Sequence, residues 1–502
     1  MAQNSAPGVG LPIAIPDNLN PFMQLVKLSA STMARLVREK EISPVELVQA
    51  HFDLIDELNP RLNAFVHLRR DDAIAEARAL EGNARNDAGE LLGVPVSIKC
   101  CIDVAGMTCD AGSRVRQDYV AAQDATLVKR LKAAGAIVLG TTNCAEMLMA
   151  YDTDNVLHGR TANPWDLERT AGGSSGGEAA AVASGMSALG VGSDGGGSIR
   201  VPAHFTGICG LKPTPGRIPA TGHFPPSVGP FATMGVVGPM ARSVEDIQVA
   251  FSAMAGADIG DPMAADYAPK NLDAVSRRDL RIGILDCSDA DVSAETKAAV
   301  AKAARMLELA GAEVEPFRSQ TLEPARKLWE ILFVRVAGGM LVAETVMGRE
   351  SEISPALRKF LAIASAPPHL TAGELLQTQI ERDVVRQQFL TEMQKYDALL
   401  LPVCSSPAFR HGEGGWDDSY NTNYLRDMRF SQWFNLFGMP AMSVPISRSP
   451  EGLPIGVQVV AHPYQEPLLF RIASLLEAES NWSNDALGGE QIVTAPECAA
   501  KG

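Results

Sequence analysis

The sequence predicts an α/β protein, a single large α/β/α sandwich around a mixed β-sheet. Short apolar runs of strand length alternate with longer segments of helical period. Capping residues and glycines mark the joins between them. No Gly/Ser-rich or charged linker divides the chain, so one large domain is favoured over the three that 502 residues allow at roughly 150 each. Apolar residues make up 46% and charged residues 21%, the balance of a chain with a sizeable core rather than a disordered one.

The elements follow in order. Residues 1–28, rich in Pro, Asn and Gly, read as an extended arm. Ser43-Pro-Val-Glu46 is a capping box with Pro at the first helical position. Leu47, Val48, Phe52, Ile55 and Leu58 then recur at helical spacing, and Asn59-Pro60 is expected to stop the helix. Ala64, Val66 and Leu68 alternate, which predicts a short strand. Val94, Val96 and Ile98 predict another, ending at Lys99. Asp124 is expected to cap a helix over 125–134, with Gly135 ending it and a strand over 136–139. The unit recurs as strand 280–285, helix 294–310, Gly311 and strand 312–314. A second capping box, Thr371 to Glu374, opens a helix to about 396, and 397–402 reads as a buried strand. Alternation of this kind implies a sheet covered on both faces. The domain is expected over 29–485, with 486–502 as a tail.

Charge and composition exclude several functions. With 44 basic and 59 acidic residues the net charge is −15, which gives no electrostatic footprint for nucleic acid or an anionic membrane. The uncharged stretch 218–241 holds five Pro and four Gly and reads as ordered loop, not a membrane helix. The N-terminus has neither a basic nor an apolar leader region, so a cytoplasmic protein is expected. Eight cysteines without a C-x-x-C pair read as reduced thiols.

Glycine and serine concentrate in two clusters, Ala171-Gly-Gly-Ser-Ser-Gly-Gly-Glu178 and Gly192-Ser-Asp-Gly-Gly-Gly-Ser-Ile-Arg200. Apolar sequence flanks both closely, so they read as backbone turned toward a ligand rather than as linkers. Gly190-Val-Gly-Ser-Asp-Gly195 fits a dinucleotide pattern but lacks its strand–helix setting and acidic partner. Gly172-Gly-Ser-Ser-Gly176 fits a nucleophile elbow, which needs a strand just before it, and 167–171 does not read as one. His51, His67, His158, His204, His223, His369, His411 and His462 are dispersed without metal-ligand spacing, so each reads as a surface or packing residue and no metal is expected. An Asp–His pair for a serine stays open on sequence alone. So does a Ser–Ser–Lys arrangement: a serine is a weak nucleophile until a base takes its proton, and a lysine at a buried strand end can be that base when burial disfavours its charged form. Lys99 stands at such a strand end.

The two clusters, continued through Val201-Pro202 and Gly207-Ile-Cys-Gly-Leu-Lys-Pro-Thr214, resemble the amidase signature family. Gly93-Val-Pro-Val-Ser-Ile-Lys99, Asn163-Pro-Trp165, Gly438-Met-Pro-Ala-Met-Ser-Val-Pro445 and Gly452-Leu-Pro-Ile-Gly-Val-Gln458 extend the resemblance over roughly residues 31–476. It implies one α/β/α domain around a large mixed sheet, and amide hydrolysis by a Ser–cis-Ser–Lys triad without a cofactor. Carried over by motif, Ser198 is the nucleophile, Ser174 the bridging serine and Lys99 the base. Gly195, Gly196 and Gly197 are the expected oxyanion donors, the Gly173–Ser174 peptide is expected to be cis, and Ser175, Asp194 and Arg200 are expected to hold the loop from behind. Two departures stand out: Cys100-Cys101 follows the lysine where many relatives have Asp, and Gly195 stands where relatives often carry a larger residue.

The resemblance implies an enzyme acting on non-peptide C–N bonds. The expected substrates are small hydrophobic acyl or aryl amides, with carbamates (urethanes) and esters as variants. The alternative is the glutaminase subunit of a tRNA-dependent amidotransferase. Such subunits carry a Lys-Thr-Asn-Met-Asp-Glu-Phe-like segment, which here reads Thr141-Thr-Asn-Cys-Ala-Glu-Met147. Leu148 and Tyr151, in the apolar stretch Glu146-Met-Leu-Met-Ala-Tyr151, are the expected pocket residues, with 224–231 and 329–347 as further walls. The expected partners are an amide-like small molecule and at most a second copy of the chain.

Overall fold

A computed structural model describes residues 21–83, 89–267, 280–287, 291–413 and 423–483. Eleven strands form one mixed sheet. In chain order they are β1 (Phe65–Leu68), β2 (Pro95–Lys99), β3 (Ile137–Thr142), β6 (Leu189–Asp194), β7 (Cys209–Lys212), β8 (Val236–Ala241), β9 (Arg281–Leu285), β10 (Glu313–Phe317), β11 (Ala398–Pro402), β12 (Ala441–Arg448) and β13 (Pro454–Ala461). The short pair β4 (Ala162–Asn163) and β5 (Asp166–Thr170) stands apart as a two-stranded sheet. The order across the large sheet is β1-β3-β2-β6-β8-β7-β12-β13-β11-β9-β10. β2 lies parallel to both β3 and β6, whereas β8, β7, β12 and β13 run antiparallel to their neighbours.

Both faces are buried, as the expected sandwich requires. Val96 and Ile98 of β2 and Leu400 of β11 pack into one core with the helices Val244–Met254, Ala294–Leu309 and Glu466–Ser480. Leu399 and Leu401 of the same β11 point into a second core with the helices Leu322–Trp329, Ala372–Met393 and Arg429–Leu436. Ser97 and Lys99 of β2, opposite Val96 and Ile98, are also buried, so polar side chains occupy a place where the sheet could have been wholly apolar.

Both capping boxes form, at Ser43–Glu46 and Thr371–Glu374. Five local expectations differ. The stretch 218–241, read as ordered loop, holds the helix Pro230–Met234 and the buried strand β8. The helix Pro44–Leu62 runs through Pro60, which removes one late hydrogen bond only, and ends in the left-handed Asn63. The Asn59 side chain receives the N–H groups of Ala64 and Phe65 beyond that end. Asp124 does not cap the helix Thr126–Ala133; its carboxylate receives the N–H of Ala105 and pairs with Lys132. A strand, β5, does precede the first glycine cluster, held by pairing with β4 rather than by its own apolar pattern. Pro21–Lys27 of the expected arm is a 3-10 helix with Val26 buried; 1–20 and the tail 486–502 lie outside the described residues. No helix among the described residues is long and apolar enough to cross a membrane.

Candidate active site

The C-terminal end of β2 delivers Lys99 into the interior with no exposed surface. Its Nζ donates to Ser174 Oγ at 2.7 Å and to Ser193 Oγ at 3.1 Å. Among the described residues no carboxylate lies within ion-pair distance of it, so its polar contacts are hydroxyls. Ser174 stands in the turn between β5 and the helix Gly176–Ala183, after a cis Gly173–Ser174 peptide.

Glu178, in the first turn of that helix, fixes the turn to the sheet. Ser97 Oγ of β2 and Thr142 Oγ1 of β3 each lie 2.7 Å from one of its carboxyl oxygens. Complete burial pushes this carboxyl up to about 8, against the pull of those hydroxyls and of Lys99. It therefore carries a proton at neutral pH. The clamp couples the helix bearing Ser174 to the strand bearing Lys99.

The second glycine cluster is organised by Asp194 at the end of β6. Its carboxylate pairs with the fully buried Arg200 at 2.9 Å and receives the N–H groups of Gly197 (2.7 Å) and Ile199 (3.1 Å). Burial alone would raise this carboxyl, but the Arg200 charge and its hydrogen bonds hold it well below the usual range. The loop so pinned carries Ser198 into the same cavity that Ser174 lines.

Three side chains hold the carbonyls of the glycine run. Asn435 Nδ2 reaches Asp194 O at 3.0 Å, Trp329 Nε1 reaches Gly195 O at 2.9 Å, and the Tyr151 hydroxyl reaches Gly196 O at 2.8 Å. In a trans peptide the N–H points opposite the C=O, so each bond also aims the N–H of the next residue. Those are the N–H groups of Gly195, Gly196 and Gly197. The third is taken by Asp194 Oδ1, which removes Gly197 from the expected donors and leaves Gly195 and Gly196. The fit is tight: a Cβ at Gly195 would lie 2.3 Å from Phe333 Cε2, and one at Gly196 would lie 2.5 Å from Trp329 Cζ2.

Ser198 borders two adjoining cavities. Leu148, Met149 and Phe333 wall both; Phe231 and Val236 close the first, Tyr151, Trp329 and Phe360 the second. Among the described residues no Lys or Arg lines either, and the one lining carboxylate, Asp194, is committed to Arg200. His223, read from sequence as surface or packing, lines the first cavity; its Nδ1 donates to Pro225 O and burial lowers it to about 4, so it is neutral.

Thus Ser174, Ser198, Gly195 and Leu148 line the first cavity, Gly196 and Tyr151 join Ser198 and Leu148 on the second, and Lys99 reaches Ser174 from the buried side. Ser175, Asp194 and Arg200 lie behind them, Ser175 Oγ at 3.3 Å from Ser193 O. Cys101 packs in the core and Cys100 sits against Cys144 at 3.3 Å. Sequence reasoning passed over Ser193, Glu178, Asn435, Trp329 and Phe333 as individuals. The first two were inside the glycine–serine clusters, and the last two inside the segment expected as a pocket wall; nothing marked Asn435.

The amidase family model matches residues 46–470. The A subunit of the glutamyl-tRNA(Gln) amidotransferase of Carboxydothermus hydrogenoformans is 34% identical over 492 residues, spanning 92% of this chain and 99% of that protein. A bacterial aryl acylamidase of the amidase signature family superposes with a TM-score of 0.82 at 28% identity, covering 93% of this chain and 99% of the other. A 6-aminohexanoate cyclic dimer hydrolase, solved with its substrate, gives 0.80 at 29% identity, covering 91% and 98%.

Proposed function

The chain belongs to the amidase family, whose enzymes act on C–N bonds, and on that footing we propose that it cleaves amides through an acyl-enzyme on Ser198. The observation that carries this reading is the Lys99 Nζ to Ser174 Oγ contact of 2.7 Å, with Ser198 on the wall of the same cavity. In the proposed sequence Ser198 Oγ attacks the carbonyl carbon while its proton passes to Ser174, whose own proton passes to Lys99. Negative charge gathers on the former carbonyl oxygen, beside the N–H groups of Gly195 and Gly196. The C–N bond then breaks, the relayed proton goes to the leaving amine, and water repeats the steps to free the acid and Ser198.

The walls favour an apolar acyl or aryl group. A substrate such as glutamine brings an ammonium and a carboxylate, and neither cavity offers either a free opposite charge among its described lining residues. The same attack serves carbamates and esters. A second reading has a specific support of its own. Relatives 31–34% identical across nearly their whole length are named as A subunits of glutamyl-tRNA(Gln) amidotransferases, and they favour a glutaminase component over a free-standing hydrolase.

One experiment separates the two. The purified chain, alone, is given a small acyl 4-nitroanilide and, separately, glutamine, with Ser198→Ala beside it. Anilide turnover by the wild type only supports the self-contained amidase. Ammonia from glutamine without anilide turnover supports the glutaminase reading. Equal activity of Ser198→Ala on either removes Ser198 as nucleophile.

A further inference from the structure

Three residues far apart in sequence meet away from the serines. His67 lies on β1, Asp110 in the loop after β2, and His158 in the loop before β4. Both imidazole Nε2 atoms approach the same oxygen, Asp110 Oδ2, at 2.8 and 2.9 Å. The other carboxylate oxygen is held by the N–H of Gly112 at 2.8 Å, so Oδ2 is left to the two rings. The rings stand edge to face with centroids 5.3 Å apart, and the three possible donor atoms all lie within 4.8 Å of one another. The Asp110 side chain is wholly buried, while His67 is 30% exposed and His158 15%, so one side of the cluster opens to water.

We propose that His67 Nε2, Asp110 Oδ2 and His158 Nε2 bind a divalent transition ion of the zinc class, with water as the remaining ligand. Two imidazoles and one carboxylate suit Zn²⁺ or Co²⁺ and not the hard ions Mg²⁺ and Ca²⁺. Bonds of about 2.0–2.1 Å set tetrahedral ligands about 3.3 Å apart, so the two His–Asp110 separations lengthen by roughly half an ångström, and the exposed edge of His67 gives that ring room. Each imidazole then carries its proton on Nδ1, leaving the Nε2 lone pair for the metal. The His158 backbone is braced on both sides, its N–H donating to Asn155 Oδ1 and its carbonyl accepting from Asn63 Nδ2. Ala111, next to Asp110, accepts the Met147 N–H at 2.9 Å, so a bound ion stiffens the segment that carries Leu148.

The test uses the full chain purified without a histidine tag. Co²⁺ and Zn²⁺ are titrated by equilibrium dialysis and by the visible spectrum of cobalt, with His67→Gln and His158→Gln in parallel. The expected result is one ion per chain, cobalt displaced by zinc, and a rise in melting temperature with metal. Each variant should weaken binding by more than the tenfold that loss of even an outer partner typically costs. Both histidines are partly exposed, so the variants should fold, and their melting temperatures without metal check this. No retained ion in the wild type, or an ion that both variants keep equally well, overturns the proposal.

Discussion

Replacing Gly195 by alanine probes whether the aromatic clamp, rather than the glycine itself, sets the site. The new Cβ would stand 2.3 Å from Phe333 Cε2 and 2.7 Å from Cζ, where ordinary contact begins at 3.4 Å. The ring must retreat by about 1 Å or the loop must lift. Phe333 is stacked on Trp329, centroids 4.8 Å apart at 11°, and meets Phe231 edge-on at 5.1 Å. It cannot retreat without disturbing Trp329, whose Nε1 holds the Gly195 carbonyl. Either movement loosens the peptide that aims the Gly196 N–H. Loss of one oxyanion donor costs about 10²–10³ in kcat, and a misdirected one less, so Gly195→Ala should lower kcat roughly 10- to 100-fold with a smaller effect on KM. Phe333→Ala removes the obstacle. In the double variant the alanine at 195 should then cost little beyond Phe333→Ala itself, a coupling above about 1 kcal/mol. The assay is kcat and KM for the four proteins on one amide that the wild type turns over. Strict additivity, or a fully active Gly195→Ala, would refute the clamp.

Tyr151→Phe removes the hydroxyl on Gly196 O, a bond of about 1 kcal/mol, so kcat should fall about fivefold with KM little changed; a change in KM alone would argue for simple packing. Glu178 is held at about 8 in the fold against an ordinary 4.5. The folded chain keeps a proton that the unfolded chain releases, so this group's contribution is intact below pH 4.5 and is lost as pH rises toward 8, a total of roughly 5 kcal/mol. Glu178→Gln should remove that slope, and melting temperatures at pH 5 and pH 8.5 should show its advantage growing with pH; parallel profiles would refute it. Arg200→Met strands the buried Asp194 carboxylate and should cost about 3–5 kcal/mol in unfolding experiments, much of it regained in the double variant with Asp194→Asn.

What the sequence made legible was local. The glycine clusters identify themselves because backbone must come close to other groups there, and short ordered strings around Ser174 and Ser198 carry that requirement. The capping boxes are read correctly because both partners lie within four residues. The misreadings are also local patterns, overruled by partners elsewhere. Asp124 had the composition of a cap but is drawn to Ala105 and Lys132. β5 lacks an apolar alternation and forms because β4 pairs with it. Trp329 touches the glycine run from 134 positions away, and Asn435 from 241, with no periodicity to announce either. The histidines looked dispersed for the same reason: His67 and His158 lie 43 and 48 positions from the Asp110 they share.

The buried carboxyls explain how a lysine can sit among serines. Asp194 is ionised, and Arg200 and the backbone N–H groups of its own loop consume it. Asp110 is ionised and faces the two imidazoles. Glu178 lies close enough to Lys99 to interact with it electrostatically, and burial keeps it protonated, between two hydroxyls. An ionised Glu178 would compete with Ser174 for the lysine as an ion-pair partner. Keeping it neutral leaves the Lys99 amine, among the described residues, hydrogen-bonded to Ser174 and Ser193, the contact that the proposed proton relay uses. Under the proposed mechanism, the burial that keeps Glu178 protonated thus supports the relay from Ser198 to Lys99.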